Sequence, residues 1–241
     1  LKRSYNHDCA RPLFACMNPE LTYTLPVYQT ASGASDIMMH TMERYFNMSE
    51  NMELTDGISE ALIKTVMKHS KILKEHPDCY ESRAEVMWAS SLSHNGLTGC
   101  GTDGGDWACH QLEHEIGGMF DVAHGAGLAA VWGSWARYVC KARPERFAKF
   151  ARNIFDIQET DDEKAAVAGI EAMESYYRSV GMPTSLCELG IHATEEQIKE
   201  MADKCSFYGK RTVGVMRKIG APEASEIYRM ANDKSIPLYS R

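Results

Sequence analysis

The sequence predicts a mainly α-helical protein. Apolar residues recur at helical spacing in nine segments between residues 32 and 232. One apolar run of strand length, residues 12–19 (PLFACMNP), lies near the start and closes with Asn18 and Pro19. No repeat period, low-complexity segment or linker interrupts the helical part. We therefore expect one all-helical domain preceded by a single strand.

Turn-forming residues and prolines set the predicted bounds of the helices. The first helix is predicted over residues 32–47, where Ser32 or Ser35 can cap its start. The second, residues 57–76, ends before Pro77, which cannot continue a helix. The glycine-rich stretch 98–105 separates the third helix from the fourth. Seven further helices are predicted over residues 82–97, 105–120, 125–141, 145–155, 161–183, 194–205 and 221–232.

The composition is that of an ordinary globular protein. With 241 residues, 44% of them hydrophobic, the chain is long enough to bury a substantial core. Its formal charge of −7 and its lack of a basic run argue against binding to nucleic acid or to an anionic membrane surface. No apolar run approaches the roughly 20 residues of a membrane span. Small or neutral partners fit this chain better.

The cysteines and the first residues indicate the cellular context. Eight cysteines are scattered along the chain without a CxxC pair. This pattern favours a reduced, cytoplasmic protein in which most thiols are buried and inert. The chain starts with Leu1 rather than Met, and its first residues lack the apolar core of a signal peptide. We expect it to begin within a larger protein.

Three histidines and one Asp–His pair indicate a metal site. His110 and His114 are four residues apart, so a helix puts them on one face, and His124 follows ten residues later. Asp36 and His40 have the same spacing on the first predicted helix, so both can reach one ion. His110 and His124 can complete the site from elsewhere in the chain. One carboxylate and three imidazoles suit Fe(II) or Zn(II).

Each of these features also has a simpler explanation. An Asp and a His four residues apart on an amphipathic helix more often form a hydrogen-bonded surface pair. The HEIGG segment lacks the second histidine of a zinc-binding HExxH helix. The HGAGLAA segment can be a helix start whose small residues permit close packing. The remaining histidines are expected to be solvated or packed: His7, His69, His76, His94 and His192.

Four separated segments together resemble the iron-containing alcohol dehydrogenases, and most of all the butanol dehydrogenase branch of that family. The segments are MNPELTYTLPVYQTASGASDIMMHTMERYF (17–46), MWASSLSHNGL (87–97), CHQLEHEIGGMFDVAHGAGLAAV (109–131) and GKRTVGVMRKI (209–219). They occur in the family's order and extend over nearly the whole chain. The resemblance implies an N-terminal nucleotide-binding α/β domain and an all-helical domain, with a divalent metal in the cleft between them.

The resemblance also implies roles for individual residues. The family's four metal ligands fall on Asp36, His40, His110 and His124. Its histidine beside the metal and the nicotinamide falls on His114, and Gln29 falls where the family approaches the cofactor near the domain junction. Ser35 stands where a small apolar residue is usual, a departure that leaves the ligands unchanged.

The resemblance divides the chain into two parts. Residues 1–25 are predicted to be the tail of the nucleotide-binding domain, with residues 12–19 as its last strand. Residues 26–241 are predicted to be the helical, metal-binding catalytic domain. The glycine-rich stretch 98–105 follows a helix rather than a strand, so it does not match a pyrophosphate loop. We expect that loop upstream, together with the residues that distinguish NAD from NADP.

The implied function is that of a metal-dependent alcohol dehydrogenase or aldehyde reductase. Hydride would pass between NAD(P)(H) and a primary alcohol or aldehyde held by Fe²⁺ or Zn²⁺. His114 would help to transfer the accompanying proton. The chain alone is expected to be inactive, and a homodimer is compatible with this interpretation. Two alternatives stay open. One is a metallohydrolase with Glu113 or Glu115 as the base for metal-activated water, and the other is a non-catalytic helical fragment.

Overall fold

Helices dominate the described part of the chain in the computed structural model. The structure describes Lys2, Arg3, Tyr5 and residues 7–232, so the predictions that extend over Leu1, Ser4, Asn6 and 233–241 lie partly outside the described residues. The α-helices of the described residues are α1 Val27–Tyr45, α2 Glu53–Glu75, α3 Tyr80–His94, α4 Ala108–Phe120, α5 His124–Val139, α6 Pro144–Phe155, α7 Asp162–Ser179, α8 Glu195–Cys205 and α9 Ala221–Asn232. All nine predicted helical segments are therefore confirmed, with shifts at their ends.

The predicted strand at residues 12–19 is wrong. These residues form bends and irregular backbone, and the side chains of Leu13 and Phe14 are exposed. A strand needs a neighbour for its N–H and C=O groups, and the described residues contain only one isolated bridge, between Val213 and Ile219. Asn18 instead accepts a hydrogen bond from the Glu20 backbone N–H, which starts a short 3₁₀-helix. The apolar run therefore lacks the sheet that would make it a strand.

Helix α1 starts earlier than predicted, at Val27 rather than at residue 32. Pro26 precedes its first turn, and the Pro26 carbonyl accepts the Thr30 N–H at 2.9 Å. The capping role considered for Ser32 or Ser35 is consequently wrong. Both serines are buried inside the helix, and the Ser35 hydroxyl donates to the Ala31 carbonyl at 2.9 Å. The exposed first turn carries no apolar periodicity, which is why the sequence pattern missed it.

Helix α5 lies at the centre of the core. Thirteen of its sixteen residues are buried, as expected for a helix that is apolar on all sides. It packs against α1, α4, α7 and α9, while α6 packs mainly on α7. Because α1, α4 and the start of α5 meet in this core, side chains from three distant segments can converge there.

The crossing of α1 and α5 depends on a glycine. A Cβ atom added to Gly125 would lie 1.9 Å from the Ser32 carbonyl oxygen, closer than any van der Waals contact. Only glycine permits this approach of the two backbones. The prediction that HGAGLAA supplies small residues for close helix packing is confirmed. The same approach brings His124, the first residue of α5, next to α1.

We expect Gly125→Ala to lower the free energy of unfolding by about 3 kcal/mol or more, because the added methyl group forces α1 and α5 apart. Gly57→Ala in α2 is the matched control, since a Cβ there meets no atom within 4 Å. That control should be neutral or should stabilise the protein by about 0.5–1 kcal/mol. Urea denaturation measures both. Equal stability of the two variants would show that the α1–α5 approach is looser than described.

The structure shows which cysteine side chains are buried. All eight cysteines are free, but only Cys109, Cys140 and Cys205 are buried. The prediction that most thiols are buried is wrong, because several cysteines lie in turns and irregular segments rather than on apolar helix faces. No helix among the described residues is both long and apolar enough to cross a membrane.

Candidate metal centre

Three helices bring one carboxylate and three imidazoles together. Asp36 and His40 lie one turn apart on α1, His110 lies in the first turn of α4, and His124 begins α5. The Oδ1 atom of Asp36 lies 3.6 Å from Nε2 of His40, 3.3 Å from Nε2 of His110 and 3.7 Å from Nε2 of His124. The side chains that the sequence analysis proposed as ligands therefore converge around a single carboxylate oxygen.

These separations fit one shared ion. A tetrahedral ion with bonds of about 2.0–2.2 Å holds its ligand atoms roughly 3.3–3.6 Å apart. The three distances from Asp36 Oδ1 span 3.3–3.7 Å, close to three of the six edges of such a tetrahedron. Ligand atoms of Asp36, His40 and His110 also lie within 4.8 Å of one another, and His124 is the outermost member of the set. A direct hydrogen-bonded contact between these atoms would be nearer 2.7–3.0 Å.

Buried polar atoms without partners support the same interpretation. Among the described residues, Asp36 Oδ1 and His110 Nε2 are both buried and have no hydrogen-bond partner. Leaving such groups unsatisfied is costly, so native structures usually pair them with protein, water or an ion. A divalent cation between them would satisfy both atoms at once. This donor set of one carboxylate and three imidazoles suits Fe²⁺ or Zn²⁺.

Two buried glutamates hold the histidine rings from behind. The carboxylate of Glu43, on α1, contacts His110 Nδ1 and also accepts the His110 backbone N–H at 3.0 Å. The carboxylate of Glu113 contacts His124 Nδ1 and accepts from the Lys2 ammonium at 3.1 Å. A carboxylate that accepts the Nδ1 proton fixes the tautomer in which Nε2 is free to bind a metal. The sequence analysis missed Glu43 and considered Glu113 only as a base.

Burial and neighbouring charges shift the pKa values of the clustered side chains. Burial opposes the charge on Asp36, but His110, His40 and His124 outweigh it and lower the pKa of Asp36 to about 2. Burial also opposes the charge on His110, yet Glu43 and Asp36 raise its pKa to about 10. In contrast, burial and then His110 lower the pKa of His40 to about 3. The carboxylates of Asp36 and Glu43 therefore favour a positive charge next to His110.

His114 lies beside the convergent group rather than within it. Its ring centroid is 6.3 Å from that of His110 and 5.7 Å from that of His124. Burial lowers the pKa of His114 to about 4, so its ring is neutral at pH 7. Glu113, His114 and His124 also lie close enough to form a second candidate cluster. However, His124 uses Nδ1 towards Glu113, which leaves only its Nε2 for an ion, on the side of Asp36.

Two rings that the sequence analysis did not select lie next to His40. His94, at the end of α3, is exposed as expected, but its ring centroid lies 3.8 Å from that of His40. Trp107, just before α4, lies 5.4 Å from His40 and 5.4 Å from His110 between centroids. No spacing along the chain signals these contacts, because α3 and α4 meet α1 only in the folded structure. Gln29 is exposed near the start of α1, two turns before Asp36.

Comparison with known proteins identifies the family of this chain. Residues 30–231 match the family model described as "Fe-containing alcohol dehydrogenase family, C-terminal". The chain belongs to the iron-containing alcohol dehydrogenase family. The predicted fold class is thereby confirmed: solved structures of such alcohol dehydrogenases share the helical fold. The strand predicted at residues 12–19, as a remnant of a nucleotide-binding domain, is not formed in this structure.

Two curated alcohol dehydrogenases or reductases illustrate the similarity. The chain is 37% identical over 230 residues to NADH-dependent butanol dehydrogenase A of Clostridium acetobutylicum, covering 95% of this chain and 58% of that protein. It is 30% identical over 231 residues to the NADPH-dependent aldehyde reductase YqhD of Escherichia coli, covering 95% of this chain and 59% of that protein. The chain thus spans somewhat more than half of the length of these relatives.

Solved structures agree with the sequence comparison. The crystal structure of NADH-dependent butanol dehydrogenase A from Thermotoga maritima has a TM-score of 0.84 and 36% identity, covering 89% of this chain and 55% of that one. The crystal structure of Escherichia coli YqhD has a TM-score of 0.88 and 29% identity, covering 94% of this chain and 57% of that one. The helical fold of this chain is therefore that of the matching part of these relatives.

Proposed function

We propose that the chain is the metal-binding catalytic domain of an NAD(P)-dependent alcohol dehydrogenase or aldehyde reductase that acts on primary alcohols and aldehydes. In this proposal a divalent ion, Fe²⁺ or Zn²⁺, is held by four side chains: Asp36, His40, His110 and His124. The observation that carries the proposal is the position of Asp36 Oδ1, which faces the Nε2 atoms of all three histidines at 3.3–3.7 Å.

Each residue of the site has a distinct task in this proposal. A divalent ion bound there would polarise a substrate oxygen, and a nicotinamide would supply or accept the hydride. Glu43 and Glu113 keep the Nδ1 protons of His110 and His124 in place, so that both Nε2 atoms stay available. His114 is neutral, and one of its ring nitrogens can receive the proton of a substrate alcohol or return it to a reduced aldehyde.

The nicotinamide is proposed to approach along the His114 side of the site. Gln29 lies on the same stripe of α1 as Asp36, seven residues earlier, and its side chain is exposed. It can therefore contact a cofactor that reaches the site from the N-terminal end of α1. The two relatives named above are NADH-dependent and NADPH-dependent respectively, so either cofactor is compatible with this proposal.

The hydrolase alternative has less support from the geometry. It requires a free general base near the ion, and only Glu113 and Glu115 were available as local candidates. Glu113 is fully buried, and its Oε2 contacts His124 and Lys2, while its Oε1 has no hydrogen-bond partner. Glu115 is buried and accepts from the Arg3 guanidinium at 2.9 Å. Burial and ion pairing with Lys2 and Arg3 therefore disfavour both carboxylates as bases for water.

The proposal is tested by joining the chain to a nucleotide-binding domain from a relative. We expect the 241-residue chain, loaded with Fe²⁺ or Zn²⁺, to give negligible NAD(P)H oxidation with butanal. Fused behind the N-terminal part of the Clostridium acetobutylicum butanol dehydrogenase, it should reduce butanal, because hydride transfer requires the nicotinamide to be held against the reacting carbon. The decrease of NAD(P)H absorbance at pH 7 is the measurement.

Two controls separate the alternatives. A fusion that carries Asp36→Ala should be inactive, and the isolated chain should not hydrolyse activated esters. Ester hydrolysis that depends on the metal would favour the hydrolase. A fusion that folds and binds metal yet reduces no aldehyde would favour a structural role for the ion. Robust turnover by the isolated chain would show that the proposed division of the active site is wrong.

A further inference from the structure

We propose that Trp107 and His94 form a rigid wall of the substrate-binding site and select against aldehydes and primary alcohols that are branched next to the reacting carbon. This inference deepens the proposed function and rests on it. The two residues come from different segments, the end of α3 and the residue before α4, but both rings lie against the ring of His40. We refer to Trp107 and His94 as the ring wall.

The ring wall lies against two of the proposed ligand rings. Its rings lie 3.8 Å and 5.4 Å from His40 between centroids, and Trp107 is equally close to His110. His114 lies instead beside His124, with 5.7 Å between their centroids. Because the proposed function puts the nicotinamide and the proton beside His114, we place the carbon chain of the substrate beside His40, where its first few carbon atoms meet the ring wall.

Trp107 is held firmly in its position. Its backbone has a φ of 59°, in the left-handed region that non-glycine residues rarely adopt. The indole N–H donates to the Gly104 carbonyl at 2.5 Å, and the Arg44 guanidinium lies 4.8 Å from the ring centroid. Arg44 is itself anchored, donating to the His40 carbonyl at 3.0 Å and to the Ser93 carbonyl at 2.6 Å. The indole therefore cannot easily turn away from a bulky substrate.

His94 is anchored in a comparable way. Its Nδ1 atom lies 2.7 Å from the Ser93 hydroxyl and 3.0 Å from the Ser90 carbonyl. A carbonyl only accepts hydrogen bonds, so Nδ1 is the protonated nitrogen in this arrangement. These contacts fix the ring over His40 although His94 is exposed at the helix end. The ring wall consequently combines two flat, anchored rings beside His40.

A rigid flat wall discriminates by shape. An unbranched chain can lie along it, whereas an ethyl branch at the second carbon projects towards one of the rings. One misplaced methylene group in a close-fitting pocket typically changes selectivity by about 10- to 200-fold. The ring wall should therefore favour straight-chain substrates without any hydrogen bond to the chain.

The test uses primary thiols as probes whose sulfur stands in for the substrate oxygen. The 241-residue chain is loaded with Co²⁺, and the change in the visible Co²⁺ spectrum reports the binding of butane-1-thiol and 2-ethylbutane-1-thiol. We expect the straight thiol to bind at least about tenfold more tightly than the branched one. Trp107→Ala and His94→Ala should each bring the two affinities within about threefold, mainly by tighter binding of the branched thiol. Trp107→Phe should retain the selectivity.

Trp88→Ala is the matched control, because Trp88 is 55% exposed in the middle of α3. It should leave the ratio of affinities unchanged. If Co²⁺ and both thiols bind but neither ring-wall variant changes the ratio, the ring wall is wrong and the metal site stands. If Co²⁺ causes no spectral change in the wild-type chain, the metal-based function fails, and the ring wall fails with it. His94→Ala keeps the test decisive if Trp107→Ala does not fold, since His94 lies exposed at a helix end.

Discussion

Asp36→Ala is expected to lower the affinity of the chain for Fe²⁺ or Zn²⁺ by more than about a hundredfold. Loss of an outer carboxylate that only orients a ligand typically costs 10- to 100-fold, and removal of a direct ligand should cost more. Asp36 has a further effect, because its Oδ1 lies within 3.7 Å of the Nε2 atoms of all three histidines. His40→Ala should also weaken binding sharply. Mass-spectrometric metal analysis after dialysis measures the stoichiometry, and competition titration measures the affinity.

The matched controls are Asp78→Ala and His76→Ala, since both side chains are exposed near the turn between α2 and α3. Both control variants should bind about one ion per chain, as the wild-type chain should. Unchanged stoichiometry and affinity in both site variants would remove Asp36 and His40 from the metal centre.

His110→Ala and His114→Ala are expected to have different consequences in the fused, active protein. His110 Nε2 lies 3.3 Å from Asp36 Oδ1 and has no other partner, so its loss should remove metal and activity together. His114 stands one turn further along α4, so its loss should spare most of the metal. Turnover should nevertheless fall by roughly 10²- to 10⁴-fold, the usual contribution of a positioned acid or base. Metal content and kcat are measured on the same samples.

The opposite pattern has a definite structural meaning. If His114→Ala loses as much metal as His110→Ala, the ion binds among Glu113, His114 and His124 instead. If His114→Ala keeps both metal and full turnover, the ring only packs against its neighbours. His124→Ala helps to interpret either result, because His124 belongs to both candidate clusters and should lose metal in each case.

The sequence was sufficient for the helices because their signals are local. Apolar spacing and the prolines near residues 77 and 144 identify α2 to α6, and the glycine-rich connection appears where it was expected. The early start of α1 was missed because its first turn is exposed and has no apolar pattern. The strand at residues 12–19 failed for a different reason. A strand is stable only with a partner, and local apolar content cannot reveal whether one is present.

The site was only partly predictable. Asp36 with His40, and His110 with His114, follow from spacing on single helices, but spacing alone could not choose between His110 and His114. Glu43 could have been found, since it lies three residues after His40 on the same face of α1. Contacts of His94 and Trp107 with His40 depend on how α3 and α4 pack on α1, which no local pattern encodes.

Helix α1 carries three side chains of the proposed metal centre on one stripe. Asp36, His40 and Glu43 stand at positions i, i+4 and i+7, and the third of them orients His110 on a different helix. Inserting or deleting one residue within this stretch would rotate part of the stripe by about 100° around the helix axis. The metal would then lose either its α1 ligands or the support for His110. Within this one segment, the number of residues therefore matters as much as their identity.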